Sequence, residues 1–299
     1  MEILNLFPRL FLIIGVSVWL AACGGGSPGS GSLNLNITDA PVDSASKVVV
    51  SFDGVSIKPQ NGSAFDIDFV DADGNPVVKS IDLLTQQGPN SEPLLVNQTL
   101  TAGHYNWLRL KVIASEFSTE SYIELDDGSV HPLYVPSGDE TGLKLNQGFD
   151  ITNGGAATFT IDFDLRKSVL MPGGSSIAYK LKPTLRIVNN DDVGHISGSI
   201  GQESLEHADC TDDDYAVYVF AGAGITPDDV DGIVPEPVST ALVSDTLEYA
   251  VGFLNEGDYT VAFTCEADKD NNETDDMINF IGTDTVLVAA GTTTTHNFD

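Results

Sequence analysis

The acidic run between residues 268 and 276 holds the side chains in this sequence best suited to bind a metal ion. Carboxylates and a carboxamide alternate there, and Ca²⁺ takes about six to eight oxygen ligands. The pattern predicts a Ca²⁺ loop that uses Asp268, Asp270, Asn272, Asp275 and Asp276. Its start fits an EF-hand loop, but glutamate replaces the glycine and asparagine replaces the final glutamate of that motif. A solvated acidic loop without an ion is the alternative.

Two cysteines near this run form a candidate disulfide. Cys210 and Cys265 are an even pair once Cys23 is set aside, and an exported chain meets an oxidising compartment. We predict a bridge between them, with two free buried thiols as the alternative. Acidic residues 212–214 follow Cys210 closely and are candidates for further ligands of the same ion.

Charge excludes some partners and divides the chain. The formal net charge is −31, which argues against nucleic acid or an anionic membrane surface as a partner because like charges repel. Residues 32–195 contain 21 acidic and 11 basic side chains, whereas residues 196–299 contain 22 acidic side chains and one basic. This change predicts a domain boundary in the polar stretch 189–194.

The sequence offers no motif for catalysis. It has no His-Glu-x-x-His, no phosphate-binding loop and no dinucleotide fingerprint in a βαβ context, and its five histidines are scattered. We therefore expect no enzymatic activity. A hydrolase with a pair of catalytic carboxylates is the remote alternative, because acidic residues are abundant everywhere.

The elements that must position these residues are strands. Apolar and polar residues alternate in the runs 33–37, 65–70, 107–113 and 159–165, and Asp-Gly and Asn-Gly turns separate such runs. Only residues 81–87 have a helical pattern. We predict an all-β fold with two antiparallel β-sandwich domains.

One strand carries charges that have two interpretations. Asp162 and Asp164 share a strand face just before Arg166. Ion pairs across a sheet are the simpler interpretation. The sharper hypothesis is a ligand site that these three residues form with further charged residues, namely Asp39, Asp43 and Lys182.

The first 22 residues have the parts of an export signal. Arg9 precedes an apolar segment of 13 residues, 10–22, which suits a signal peptide and is shorter than the roughly 20 residues of a membrane span. The segment ends in Leu-Ala-Ala-Cys at residues 20–23, and a Gly/Ser run follows. This arrangement resembles the lipobox of bacterial lipoproteins, in which the cysteine is acylated and becomes the mature N-terminus.

The lipobox resemblance implies how the protein is processed and where it is located. It implies a signal peptide over residues 1–22, a Gly/Ser-rich tether over residues 23–32, and a diacylglyceryl group on Cys23, often with an N-linked acyl chain such as palmitate. Gly24 favours the outer membrane, because aspartate at that position favours retention in the inner one. An uncleaved anchor helix and cleavage by the ordinary signal peptidase are the alternatives.

Five segments resemble, in order, a bacterial family catalogued as domain of unknown function 4382. They are residues 37–43, 48–55, 136–145, 161–168 and 181–186. The resemblance implies an exported β-domain over residues 33–190, with no established activity and no catalytic residues to transfer.

The strand pattern of the remaining residues, 195–299, is similar to that of small transthyretin-like or carboxypeptidase-regulatory-like sandwiches. This similarity lies in the pattern rather than in a diagnostic motif. It implies an acidic C-terminal domain of the β-sandwich type.

Together these features predict a lipid-anchored envelope protein that works as a non-catalytic surface binding or adhesion module. Its expected partners are the membrane, through Cys23, and a glycan or an envelope protein, with no nucleic acid. The expected location is the outer membrane, at its periplasmic face or at the cell surface. The alternative is a structural or assembly accessory of the outer membrane whose acidic domain is stabilised by Ca²⁺.

Overall fold

The computed structural model describes residues 29–40, 45–136, 142–172, 177–182, 184–272 and 274–299. Cys23 and Asp43 lie outside this part of the chain. The described residues are nearly all β, in four sheets with mostly antiparallel pairing, which confirms the predicted fold class. None of the described helices is long and apolar enough to cross a membrane.

Fourteen of the described strands belong to the first half of the chain. In order they are β1 (Ser30–Ala40), β2 (Ala45–Pro59), β3 (Phe65–Asp68), β4 (Lys79–Asp82), β5 (Glu92–Thr101), β6 (Gly103–Val112), β7 (Tyr122–Leu125), β8 (Val130–Tyr134), β9 (Leu143–Leu145), β10 (Phe149–Ile151), β11 (Ala156–Asp164), β12 (Val169–Leu170), β13 (Tyr179–Leu181) and β14 (Leu185–Asn189). A short helix, α1 (Leu165–Ser168), joins β11 to β12.

These strands form two sheets over one core, here called the N-terminal sandwich. The smaller sheet has the order β14-β11-β1-β5, with β1 and β11 parallel. The larger sheet runs β10-β6-β2-β7-β8-β13-β12, with β3 and β4 also on β2 and β9 on β6. Because side chains alternate along a strand, Leu33, Leu35 and Ile37 of β1 all point into the core, where each is fully buried.

The predicted helix over residues 81–87 is wrong. Strand β4 runs through Asp82, and only one 3₁₀ turn follows, Leu83–Thr85. The Asp82 carboxylate caps this turn by accepting from the backbone N–H of Leu84. Leu83 is fully buried in the core, so the apolar spacing reflects burial of one turn rather than a helix face.

The second half of the chain forms a C-terminal sandwich. Its strands are β15 (Val193–Ser199), β16 (Ala216–Ala221), β17 (Ser239–Leu242), β18 (Glu248–Asn255), β19 (Gly257–Thr264), β20 (Phe280–Val288) and β21 (Thr293–Thr295). Helix α2 (Gln202–Leu205) and the 3₁₀ turns Asn190–Asp192 and Ala267–Lys269 complete the described elements. The sheets β18-β15-β21 and β17-β16-β19-β20 enclose a separate core.

The predicted disulfide is confirmed. Cys210 and Cys265 are bonded, with a sequence separation of 55 residues. Cys265 follows β19 directly and is fully buried, and Cys210 packs against the same core. The bridge therefore fastens the loop before β16 to the end of the neighbouring strand.

Strand β16 is buried on both of its faces. Val217 and Val219 point into the core of the C-terminal sandwich. On the opposite face, Tyr218 and Phe220 enter a smaller apolar cluster that includes Val230. Loops from residues 222–238 and 265–279 cover this second face, and they carry the acidic residues described below.

Candidate metal centre and the contact between the sandwiches

The two loops over β16 bring five aspartates together. Carboxylate oxygens of Asp229, Asp270 and Asp276 lie within 4.8 Å of one another, and so do those of Asp229, Asp231 and Asp275. We call these five residues the acidic cluster. Both groups consist only of aspartates, a set of oxygen ligands that suits a hard cation such as Ca²⁺.

Asp229 belongs to both groups and is the most enclosed member of the cluster. Only 2% of its surface is exposed. Its Oδ2 accepts a hydrogen bond from the backbone N–H of Asp276, at 2.5 Å, whereas its Oδ1 is buried and has no hydrogen-bond partner among the described residues. Burial raises the pKa of the Asp229 carboxyl, and the charges of Asp231 and Asp270 raise it further.

Asp270 links the acidic cluster to the N-terminal sandwich. Its Oδ1 accepts from the backbone N–H of Val230, and its Oδ2 accepts from the Tyr218 hydroxyl. The Nη1 of Arg166, which comes from α1, lies 3.2 Å from the same Oδ2, and both side chains of this ion pair are almost fully buried. Burial raises the pKa of Asp270, while Tyr218 and Arg166 offset part of that rise.

Arg166 is held firmly by the C-terminal sandwich. Its Nη1 also donates to the Tyr218 hydroxyl at 2.9 Å and to the carbonyl of Ala267 at 3.2 Å. The guanidinium lies 5.4 Å from the centre of the Tyr218 ring, a cation–π distance. In return, the Asn272 amide donates to the backbone carbonyls of Arg166 and Val169. The two sandwiches thus share a buried polar contact.

Further contacts bring the sandwiches together. Lys167 lies 3.3 Å from the Glu236 carboxylate. On another side, the backbone of Gly88 meets β18 so closely that a Cβ on Gly252 would lie 1.8 Å from the Gly88 carbonyl oxygen. Only glycine at position 252 allows this approach.

The structure assembles some of the predicted metal ligands and separates others. Asp270, Asp275 and Asp276 lie in the acidic cluster. The Asn272 amide is instead used by the carbonyls of α1 and β12, and Asp268 is exposed. The predicted helpers lie apart as well, since Asp212 pairs with Lys269 at 2.5 Å.

Sequence reasoning missed Asp229 and Asp231. They belong to an acidic run that precedes the 268–276 loop by about 40 residues, and no spacing rule connects the two runs. The available signal was indirect. A strand as uniformly apolar as β16 must be buried on both faces. The loop that follows it, which contains Asp229 and Asp231, is the nearest segment that can bury the second face.

The alternative ligand site is only partly assembled among the described residues: Asp39, Asp162 and Asp164 lie at neighbouring positions of β1 and β11, but the charged partners of the last two and of Arg166 lie elsewhere. Asp162 faces Arg186 directly across β11 and β14, and their charged groups lie 2.6 Å apart. Asp164 caps α1 and pairs with Lys167. Arg166 turns away to the other sandwich. The simpler interpretation, ion pairs across a sheet, therefore describes Asp162.

Asp39 has a buried carboxyl group that takes part in neither of these ion pairs. It follows the inward positions of β1 and is 4% exposed, and neither oxygen has a hydrogen bond of good geometry within the described residues. Burial raises its pKa well above the ordinary value, Asp162 and Asp164 raise it further, and the nearby Leu165 N–H offsets only part of this.

Asp39 should therefore make stability depend on pH. Because its folded pKa is raised, the folded protein holds a proton that the unfolded chain has released, so stability falls as pH rises above about 4, the ordinary pKa of aspartate. Asp39→Asn should remove this contribution and raise the free energy of unfolding at pH 8 by roughly 1–3 kcal/mol, because asparagine is neutral at every pH and the fold no longer has to protonate or bury a charge there. Urea unfolding at pH 5 and 8 measures it. The exposed control Asp73→Asn should behave like the parent protein, and an Asp39→Asn variant that keeps the parent's pH dependence would contradict the assignment.

The outer face of β6 carries an aromatic ring with two cations close to it. The Arg109 guanidinium and the Lys144 ammonium each lie 5.1 Å from the centre of the Trp107 ring. Arg109 and Lys144 are direct neighbours across β6 and β9. Within the described residues neither forms an ion pair, and Arg109 Nε has no hydrogen-bond partner. We call these three residues the basic-aromatic patch.

Comparisons with known proteins identify a family for the first half of the chain. The model of the domain of unknown function DUF4382 matches residues 30–183. No curated protein matches the sequence.

Solved structures match the chain only weakly. The Bacillus anthracis TIE protein has 10% identity and a TM-score of 0.22, over 91% of this chain and 34% of that one. The minor pilin GBS52 of Streptococcus agalactiae has 10% identity and a TM-score of 0.21, over 89% and 94%. The major pilin subunit BcpA of Bacillus cereus has 10% identity and the same TM-score, over 90% and 98%.

These structural similarities are too low to inform the fold or the function. The chain also spans only about a third of the length of the TIE protein that it matches. The family match is different, because it covers slightly more than half of the chain and contains four of the five segments on which the resemblance rests, with the start of the fifth. The chain belongs to the DUF4382 family.

Proposed function

We propose that this protein is a lipid-anchored protein of the bacterial cell envelope whose N-terminal sandwich is a non-catalytic binding module for an acidic glycan. The anchor is Cys23, acylated after export. The basic-aromatic patch is the observation that carries the binding role. Among the described residues, the exposed Lys144 and the half-buried Arg109 form no ion pair, in a chain whose net charge is −31.

The chemistry of the patch fits an acidic sugar chain. A ring such as Trp107 offers a flat apolar surface to a pyranose, and the flanking Arg109 and Lys144 attract carboxylates or phosphates. Lys111 lies on the same strand, but it is neutralised by Asp68 at 2.6 Å. The charge of Lys111 therefore adds little to the attraction of the patch.

Binding to polygalacturonate, with its methyl-esterified form as the neutral counterpart, tests the proposal. We expect saturable binding to the charged polymer that weakens as salt is added, because salt screens exposed charges. Trp107→Ala should weaken binding at least fivefold, and Lys144→Gln should weaken it less. Lys47→Gln removes the same charge from an exposed ion pair with Glu124 and should have no effect. Equal effects of the two lysine changes, or equal binding to both polymers, would contradict the patch.

The anchor is tested separately, by feeding cells an alkyne-tagged palmitate. The parent protein should become labelled and Cys23→Ser should not, while Cys210→Ala should retain the label. Labelling that survives Cys23→Ser would contradict acylation at this residue.

The second candidate function is a structural accessory of the envelope. The buried contact between the sandwiches favours it, because a fixed arrangement of two sandwiches suits a scaffold. Cross-linking in intact cells distinguishes the two functions. One recurrent envelope protein, in the absence of binding to acidic glycans, would favour the accessory, and turnover of a glycan or peptide would contradict both.

A further inference from the structure

We propose that the acidic cluster is a Ca²⁺ site, with the ion held between the 228–231 and 270–276 loops of the C-terminal sandwich. Its ligands are carboxylate oxygens of Asp229, Asp231, Asp270, Asp275 and Asp276. The proposal rests on the geometry of this cluster and not on the glycan role, which belongs to the other sandwich.

The first argument is the position of Asp229. Its Oδ1 is buried and has no hydrogen-bond partner among the described residues, although a buried carboxylate oxygen normally has one. The Asp229 carboxylate also lies within 4.8 Å of oxygens from each of the four other members. A cation among these oxygens would give Oδ1 the partner that it lacks.

The second argument is charge. Five carboxylates stand together, and among the described residues the cation bonded to them is Arg166, which contacts Oδ2 of Asp270. Arg166 lies at one end of the cluster. The carboxylates of Asp231 and Asp275 are at the other end, so their mutual repulsion needs a separate counter-charge.

The third argument concerns which cation fits. The ligands are all oxygens from aspartates, with no histidine or cysteine in either group, which disfavours zinc. Mg²⁺ demands near-ideal octahedral geometry, whereas Ca²⁺ accepts irregular sets of about six to eight oxygens. The carboxylates here come from two irregular loops, so their oxygens form an irregular ligand set, which suits Ca²⁺ better than Mg²⁺.

Several backbone bonds already hold the ligands in place. The backbone N–H of Ile233 fixes Asp231 at 2.7 Å, and that of Asn271 fixes Asp276 at 2.9 Å. These bonds use one oxygen of each carboxylate and leave the other for an ion. Backbone bonds therefore fix the direction of the Asp231 and Asp276 carboxylates.

Occupancy would strengthen the contact between the sandwiches. The ion would join both loops that cover the outer face of β16, and one of its ligands, Asp270, is the partner of Arg166. Ca²⁺ should therefore stabilise the C-terminal sandwich first and the N-terminal sandwich through α1.

The experiment uses the purified full chain in detergent, stripped of metal with EDTA. Titration with CaCl₂ should show saturable heat in calorimetry, and at a hundredfold excess over Kd the melting temperature should rise by about 5–10 °C. MgCl₂ and NaCl of equal ionic strength should give much smaller shifts. Equal shifts from all three salts would mean that only screening occurs and would overturn the site.

Variants separate the site from the general acidity of the sandwich. Asp229→Asn should weaken Ca²⁺ binding at least tenfold. Asp275→Asn should weaken it as well, and this exposed residue carries no hydrogen bond on which folding depends among the described contacts. The control Asp213→Asn removes an exposed charge outside the cluster and should bind Ca²⁺ normally. Unchanged binding by Asp275→Asn, or equal loss in the control, would overturn the proposal while leaving the glycan role untouched.

Discussion

Replacing Arg166 with methionine should lower the free energy of unfolding by about 3–5 kcal/mol, the usual effect of removing one partner from a buried ion pair. Methionine fills much of the same space but leaves the Asp270 carboxylate without its cation. The change also removes the bonds to Tyr218 and Ala267, so the two sandwiches lose their main polar contact.

The same substitution should separate the unfolding of the two sandwiches. Trp107 is the single tryptophan in the described residues, so its fluorescence reports on the N-terminal sandwich, while far-UV circular dichroism reports on both. We expect coincident urea transitions for the parent protein and distinct ones for Arg166→Met.

A double variant provides the control for Arg166. Arg166→Met with Asp270→Asn removes both charges of the buried pair, and it should recover more than half of the lost stability. A loss below about 1 kcal/mol in the single variant, or no recovery in the double variant, would show that the buried pair does not hold the sandwiches together.

Removing the disulfide should cost about 4 kcal/mol, the value that the chain-entropy model gives for a closed loop of this length. In the double variant Cys210→Ala/Cys265→Ala, alanine in the buried position 265 avoids an unsatisfied hydroxyl. The loss should appear in the C-terminal sandwich, because both cysteines pack against its core.

Denaturant unfolding of the oxidised parent protein, the reduced parent protein and the double variant measures this effect. Reduced parent and double variant should match each other. A double variant as stable as the oxidised protein would show that the bridge does not constrain the unfolded chain.

Local sequence patterns predicted strands β1, β3, β6 and β11, which match the four alternating runs. Alternation places Leu33, Leu35 and Ile37 on one face, and the structure buries all three. The disulfide also followed from elementary reasoning, since a chain predicted to be exported, with one of its three cysteines predicted to carry lipid, leaves one pair. These predictions succeed because they depend on neighbours in sequence or on a count.

The candidate site was only half predictable. Asp270 and Asp276 were found because they lie in one acidic run, whereas Asp229 joins them only through the folding of a separate loop over β16. Asn272 shows the opposite error. Its amide suited a metal loop by type and position, but in the structure it binds carbonyl groups of the other sandwich. The basic-aromatic patch was missed for a similar reason, because Lys144 meets Trp107 only through the register of β9 on β6.

Strand β1 is synthesised early, but it can complete its pairing only after a much later part of the chain has been made. This strand is the first of the described strands to be made, yet it lies inside its sheet between β5 and the parallel strand β11. Asn34 meets Thr158, a residue 124 positions later, so β1 waits for its second neighbour until about half of the chain has been synthesised. Such distant pairing folds slowly and leaves apolar strand surface open to wrong partners in the meantime. If the protein is exported as proposed, β1 is the first described strand to cross the membrane, and it would then need protection until β11 follows.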